Sequence, residues 1–277
     1  MHPVIDSLSV SHSMSVSVTR SRWSIVVLAC AGAALVAAFV LGPAALLRGT
    51  YPQFQDHSAM GELLGRGLVD YWESGVRTYP AGLAEMVDYW FDWHAIKIVI
   101  SVLLTVVLGL LAATLWRRSL TAGVGYVVAA ATTTVLSLFS VFLAVLNIQS
   151  TVAPVVALLP MLTDDNAQGQ TARSLIQNGV QSGDSRPPLL ELLTQVKHYN
   201  WAVIVATVVV IAVVGTATAI AFRRYRSADA TDGPHRRMFV VLGPLGAVMT
   251  IVMALLSIAA VVAVVDPGAA LLGAIGL

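Results

Sequence analysis

Apolar residues gather into five long runs, 23–47, 95–116, 120–146, 201–222 and 238–265, separated by more polar stretches. A helix advances about 1.5 Å per residue and the hydrocarbon layer of a bilayer is about 30 Å thick, so each run can cross as a single helix. Lys97 is the one charged residue inside any of them. The pattern predicts an all-α, polytopic membrane bundle of five transmembrane helices.

The two longer connections, 48–94 and 147–200, carry a second pattern. Met60, Leu63, Leu64, Leu68 and Trp72 fall at helical spacing. After the breaker TYP, a further set, Leu83, Met86, Val87, Trp90 and His94, leads without interruption into the second run. One helix from Ala81 to Arg118 is expected there, about 57 Å long and well beyond the bilayer. Leu175, Ile176 and Val180 predict a short amphipathic helix in the second connection, where SRPP restarts the chain. The stripe Leu189, Leu192, Leu193, Val196 and Tyr199 then continues into the fourth run. Proline suits the first helical turn, where its missing N–H would lack a partner anyway. Both returning helices should therefore project from the membrane and carry a small helical cap built from the two connections.

Charge orients the bundle, because segments rich in Lys and Arg stay in the cytoplasm. With the N-terminus inside, segments 1–22, 117–119 and 223–237 hold nine of the sixteen basic residues, while 48–94, 147–200 and 266–277 hold six, beside twelve of the fifteen acids. The expected arrangement is N-inside and C-outside in a bacterial cytoplasmic membrane, with residues 1–22 a disordered Ser-rich tail and residues after 265 a short outer tail. The composition agrees: 57% of residues are hydrophobic and 11% charged, against about half and about a quarter in soluble domains. The single cysteine, Cys30, permits no intrachain disulfide. VLAC at 27–30 faintly resembles a lipoprotein cleavage box, but an apolar run follows it where a polar tether belongs, and that run exceeds a signal peptide's core. An uncleaved anchor is expected.

Shifting the chain by 106 residues lays 93–118 over 199–224 without a gap, aligning Trp93 with Tyr199, Gly109 with Gly215, Trp116 with Phe222, and then an arginine pair. This predicts two tandem units of the same orientation, 23–118 and 119–224, followed by an unpaired fifth span within 225–277. Such units are related by an axis along the membrane normal.

The stretch DYWFDWHAIKI at 88–98 holds most of the candidate chemistry. Tyr89, Trp90, Trp93 and Lys97 fit a membrane interface, where aromatic rings settle and a lysine amine reaches back toward water. A charge just inside an apolar run is also a functional candidate, with Asp92 or Asp88 its expected partner. Glu85, Asp88 and Asp92 share one helix face, which reads as solvated or as a site for a cation or basic partner. His57, His94 and His198, with Asp92, are the candidate metal ligands, but no HxxxH or HExxH spacing sets two imidazoles on one face, and no metal or other cofactor is predicted. A metal- or haem-dependent redox enzyme would require these histidines to converge. Asn147 and Gln149 are expected to hold the loop onset through hydrogen bonds. Thr132, Thr133, Thr134, Ser137 and Ser140 suit close helix packing. No carboxylate lies within a span, which disfavours ion-coupled transport. No nucleophile elbow, Walker loop or dinucleotide fingerprint occurs. The inner arginines fit anionic lipid headgroups better than nucleic acid.

At YWFDWHAIK, NIQSTVAPVVALLPML and DPGAALL the chain resembles uncharacterised multi-spanning membrane proteins of actinobacteria. The resemblance implies an envelope location and transfers no functional residue. The leading expectation is a non-enzymatic assembly partner or accessory subunit that meets lipid and a second envelope protein. A passive channel or lipid-handling transporter, with a path between the two units lined by the third span's threonines, is the alternative.

Overall fold

The structure is a computed structural model that describes residues 5–162, 166–227 and 233–277, with side chains for all of these except 5–22, 57–58 and 234–235. The described residues are helical apart from turns: α1 (Ile5–Leu47), α2 (His57–Ser74), α3 (Ala81–Ala122), α4 (Val124–Val152), α5 (Pro154–Leu158), α6 (Ala167–Ser182), α7 (Pro187–Ser227), α8 (Gly233–Val265) and α9 (Pro267–Ala274). Five of these helices are long and apolar enough to cross a membrane.

Local chemistry sets the breaks. Gly75 and Gly183 end α2 and α6 at φ +65°, the left-handed conformation that closes a helix with least strain in glycine. The Asn166 side chain accepts the Gly169 N–H and caps α6. Proline opens α5 and α9. Gly123, at φ +89°, turns the chain between α3 and α4. Arg224 and Arg226 lie in the last turn of α7, where positive charge complements the helix dipole.

In the spanning region α3 packs on α4, α7 on α8, α1 on α3 and α4 on α7. The spanning window of α1 is only 6% buried and that of α3 is 33%, which makes α3 the central helix and α1 a peripheral one. Leu111, Ala112, Leu115, Trp116 and Ala130 form one small apolar cluster, and Val145, Met249 and Met253 another. Wide faces of valine and leucine stay uncovered, as expected where the solvent is as apolar as the side chains and association rests on packing.

The largest core lies at the other end of the molecule. Met60, Leu64, Leu68, Tyr71 and Trp72 of α2 meet Leu83, Met86 and Tyr89 of α3, Ala172 and Ile176 of α6, and Leu189, Leu192 and Val196 of α7. Fully burying an aliphatic side chain contributes about 1.5–3 kcal/mol, so this core can hold itself together without covalent links. The stripes on the two connections are thus buried against each other. The expected long helix is present and somewhat longer, running from Ala81 to Ala122, and α7 likewise joins the 189–199 stripe to its span.

Two segments gain structure that the sequence reading left undescribed. Residues 153–162 were expected within a loop and 266–277 as a tail, yet both fold inward as α5 with its following turn and as α9. Leu158, Leu159 and Leu271 are completely buried. These apolar stretches are too short to span, and pattern alone does not separate such a run from an exposed connection.

Candidate functional site

The N-terminal part of α3 carries the residues that the sequence singles out, and the structure gives them separate surroundings. The Tyr51 hydroxyl donates to the Asp92 carboxylate at 3.0 Å, and Gln53 Nε2 donates to Glu85 Oε1 at 2.5 Å. Two of the three acids on this face therefore hold the connector that leaves α1, while Asp88 is exposed beside them. The solvated-row reading fits Glu85 and Asp88, which are both exposed, while Asp92 is half-buried. Burial, reinforced by the hydrogen bond and charge of Asp92, pushes the Tyr51 phenol up to about 12.

Lys97 takes a different partner from the one expected. Its ammonium lies 5.0 Å from the centre of the Phe39 ring on α1 and 5.3 Å from that of Trp93, one turn back on its own helix. Two electron-rich ring faces stabilise the cation here in place of Asp92 or Asp88. Trp93 also packs on Tyr89, with ring centres 5.7 Å apart. The His94 ring directs Nδ1 to the Trp90 carbonyl at 2.9 Å and packs against the Trp90 ring. Asp92, His94 and Lys97 are thus sequence neighbours engaged in three separate contacts.

His198 lines an apolar groove of about 670 Å³ between α4 and α7, next to Trp201. The His57 side chain lies outside the described residues. Among the described residues no group of three or more His, Cys, Asp and Glu side chains converges. Asn147 is buried, and its amide donates to the Leu143 carbonyl of its own helix at 2.6 Å. Gln149 is the residue that ties helices together: its amide donates to the Tyr199 hydroxyl at 2.7 Å, joining α4 to α7 just below the large core.

The hydroxyl residues of α4 divide between two openings. Thr133 and Ser140 line a groove of about 620 Å³ between α1, α3 and α4. Thr134 and Ser137 line another of about 570 Å³ at the arginine-bearing end. Most of these hydroxyls donate to the carbonyl four residues back, as Thr133 and Thr134 do at 2.8 Å. Neither groove was legible in the sequence, since each is made by helices distant along the chain.

The fold and this site define a multi-span, all-α membrane protein. No family model, curated protein or solved structure matches the chain.

Proposed function

We propose that the chain is an assembly partner or accessory subunit of a bacterial cytoplasmic membrane, without chemistry of its own, that presents a rigid helical cap on the outer side. The observation that carries this reading is the large core of α2, α5, α6 and α9 seated on the outer parts of α3 and α7. Because α3 and α7 continue unbroken from that core into their spans, the cap is fixed to the membrane segment rather than tethered to it. Its apolar stripes cover one another, so polar surface is left for recognition. Within the membrane α1 is covered mainly by α3, leaving its other faces to lipid or a partner helix. The arginine-rich ends set the orientation, with the cap and C-terminus outside.

The cap is also read as the meeting place of two tandem units. Under the 106-residue shift four of the ten buried residues of α3, Leu83, Met86, Ser101 and Leu115, fall on buried residues of α7, Leu189, Leu192, Thr207 and Ala221. Further correspondences favour dividing the units one helix later than the alignment of spans suggests, as α2–α5 and α6–α9 with α1 in front. VAPVVALL closes α4 as VDPGAALL closes α8. Ala153 and Asp266, before the two prolines, share the backbone angles −138°, 74° and −123°, 80°. A passive path between the units finds less support, because the third span's hydroxyl residues divide between a groove beside α1 and a cleft between the two hairpins, and Thr133 and Thr134 donate to carbonyls of their own helix.

In a Cys30→Ser background, Ser182→Cys should react with a membrane-impermeant maleimide on intact spheroplasts, and Ser227→Cys only after lysis. The reverse pattern would overturn the cap's location. Crosslinking in native membranes should then recover one specific protein through the cap, and repeated recovery of the chain alone would overturn the assembly role.

A further inference from the structure

The helices α3 and α7 each end in an arginine pair, Arg117–Arg118 and Arg223–Arg224, but their members differ in use. Arg118 donates to the Tyr126 hydroxyl at 3.4 Å and lies over that ring. Arg117 and Arg224 instead line one cleft of about 570 Å³ between the α3–α4 and α7–α8 hairpins. Ligand pockets commonly span about 300–1,000 Å³. The polar groups inside this cleft are already engaged. Trp116 Nε1 donates to Thr134 Oγ1 at 3.1 Å, Thr134 donates to the Ala130 carbonyl, and Ser137 Oγ donates to the Thr105 carbonyl at 3.3 Å. Among the described residues no acid lines the cleft, and the guanidinium groups of Arg117 and Arg224 are the charges found there.

Gly109, Ala113 and Arg117 follow one another along α3 at spacings of four. They trace a floor of small residues that leads about 12 Å from the charged mouth into the apolar interior. Gly109 and Ala113 both line the cleft, and a Cβ on Gly109 would meet Ser137 Oγ at 3.8 Å, an ordinary van der Waals contact. A matching ligand is apolar over most of its length and anionic at one end, and the charged end sits where a headgroup layer belongs. We propose that the cleft binds one anionic phospholipid from the arginine-side leaflet, with an acyl chain along Gly109 and Ala113 and the phosphate held by Arg117 and Arg224. The bound lipid would bridge the two hairpins. This inference rests on the membrane reading above but not on the identity of the cap's partner.

The test is native mass spectrometry of the detergent-purified full chain, titrated with phosphatidylglycerol or with phosphatidylcholine of the same acyl chains. The expected result is one tightly bound phosphatidylglycerol and weaker phosphatidylcholine. Each arginine removed should weaken phosphatidylglycerol about fivefold, so Arg117→Gln with Arg224→Gln should cost roughly 25-fold. Arg223→Gln with Arg226→Gln, equal in charge lost but outside the cleft, should change affinity by less than about threefold. Ala113→Phe should also abolish tight binding, by filling the path of the chain without altering charge. Since Ala113 is exposed, that variant and the single Arg224→Gln variant preserve the test if the double variant does not fold. Equal binding of the two lipids, equal losses from the two arginine pairs, or displacement of the lipid by inorganic phosphate would each overturn the proposal. Recovery of the chain as a soluble protein without detergent would instead overturn the membrane reading itself.

Discussion

At the N-terminal end of α3 three carboxylates occupy one helix face, and the fold puts them to different uses. Asp92 accepts from Tyr51, 41 positions earlier, Glu85 accepts from Gln53, and Asp88 stays in water. Residue spacing predicts which side chains of one helix are neighbours, so the Trp93–Lys97 contact could be read in the chain. Phe39 and Tyr51 could not, because only the packing of α1 and its connector brings them there. The Tyr51 phenol provides a test. Its folded value, about 12, lies above its ordinary value of 10.0, chiefly through burial. A raised value means that the neutral phenol is favoured by folding, so its contribution is intact below pH 10.0 and is lost between there and about pH 12. Ultraviolet difference titration of the wild type against Tyr51→Phe should show one phenol with a midpoint near 12, and a midpoint near 10 would refute the buried contact.

Among the elements, the boundaries of the long helices follow signals visible in the chain: prolines at starts, glycines at stops, and apolar stripes that run without a break into a span. Helix contacts are less visible, because they depend on how near two backbones come. α2 and α6 meet where a Cβ on Gly65 would lie 2.7 Å from the backbone of Gln168 and Gly169, so only glycine allows the approach. Gly65→Ala should therefore destabilise the folded protein by about 1–3 kcal/mol through overpacking, despite alanine's better helix propensity. Gly82, in the first turn of α3, has nothing within 4 Å of its would-be Cβ. Gly82→Ala should stabilise by about 0.4–1 kcal/mol by restricting the unfolded chain. Thermal unfolding of both variants in one detergent checks the opposite signs. In the sequence both are merely glycines inside helices.

For the whole molecule, the largest apolar core is closed by α9. Leu271 of α9 is wholly buried in it, and Ile275 nearly so, although α9 lies far along the sequence from α2 and α6. Leu271→Ala should cost about 2–5 kcal/mol through the lost transfer and the cavity it leaves. Leu255→Ala, at a position 61% exposed on the spanning face of α8, should change stability by less than about 0.5 kcal/mol. Denaturant titration of the two variants separates an integral α9 from a loosely attached tail, which would tolerate both equally. The sequence by itself determined the membrane class, the five spanning helices and the projecting stripes, because hydrophobic length, residue period and helix punctuation are local properties. Which stripe meets which, where the short apolar runs fold back, that Lys97 lies between two rings, and which arginines share a cleft were decided by the tertiary structure. Those outcomes depend on backbone separations between elements distant in the chain, and no local pattern carries that information.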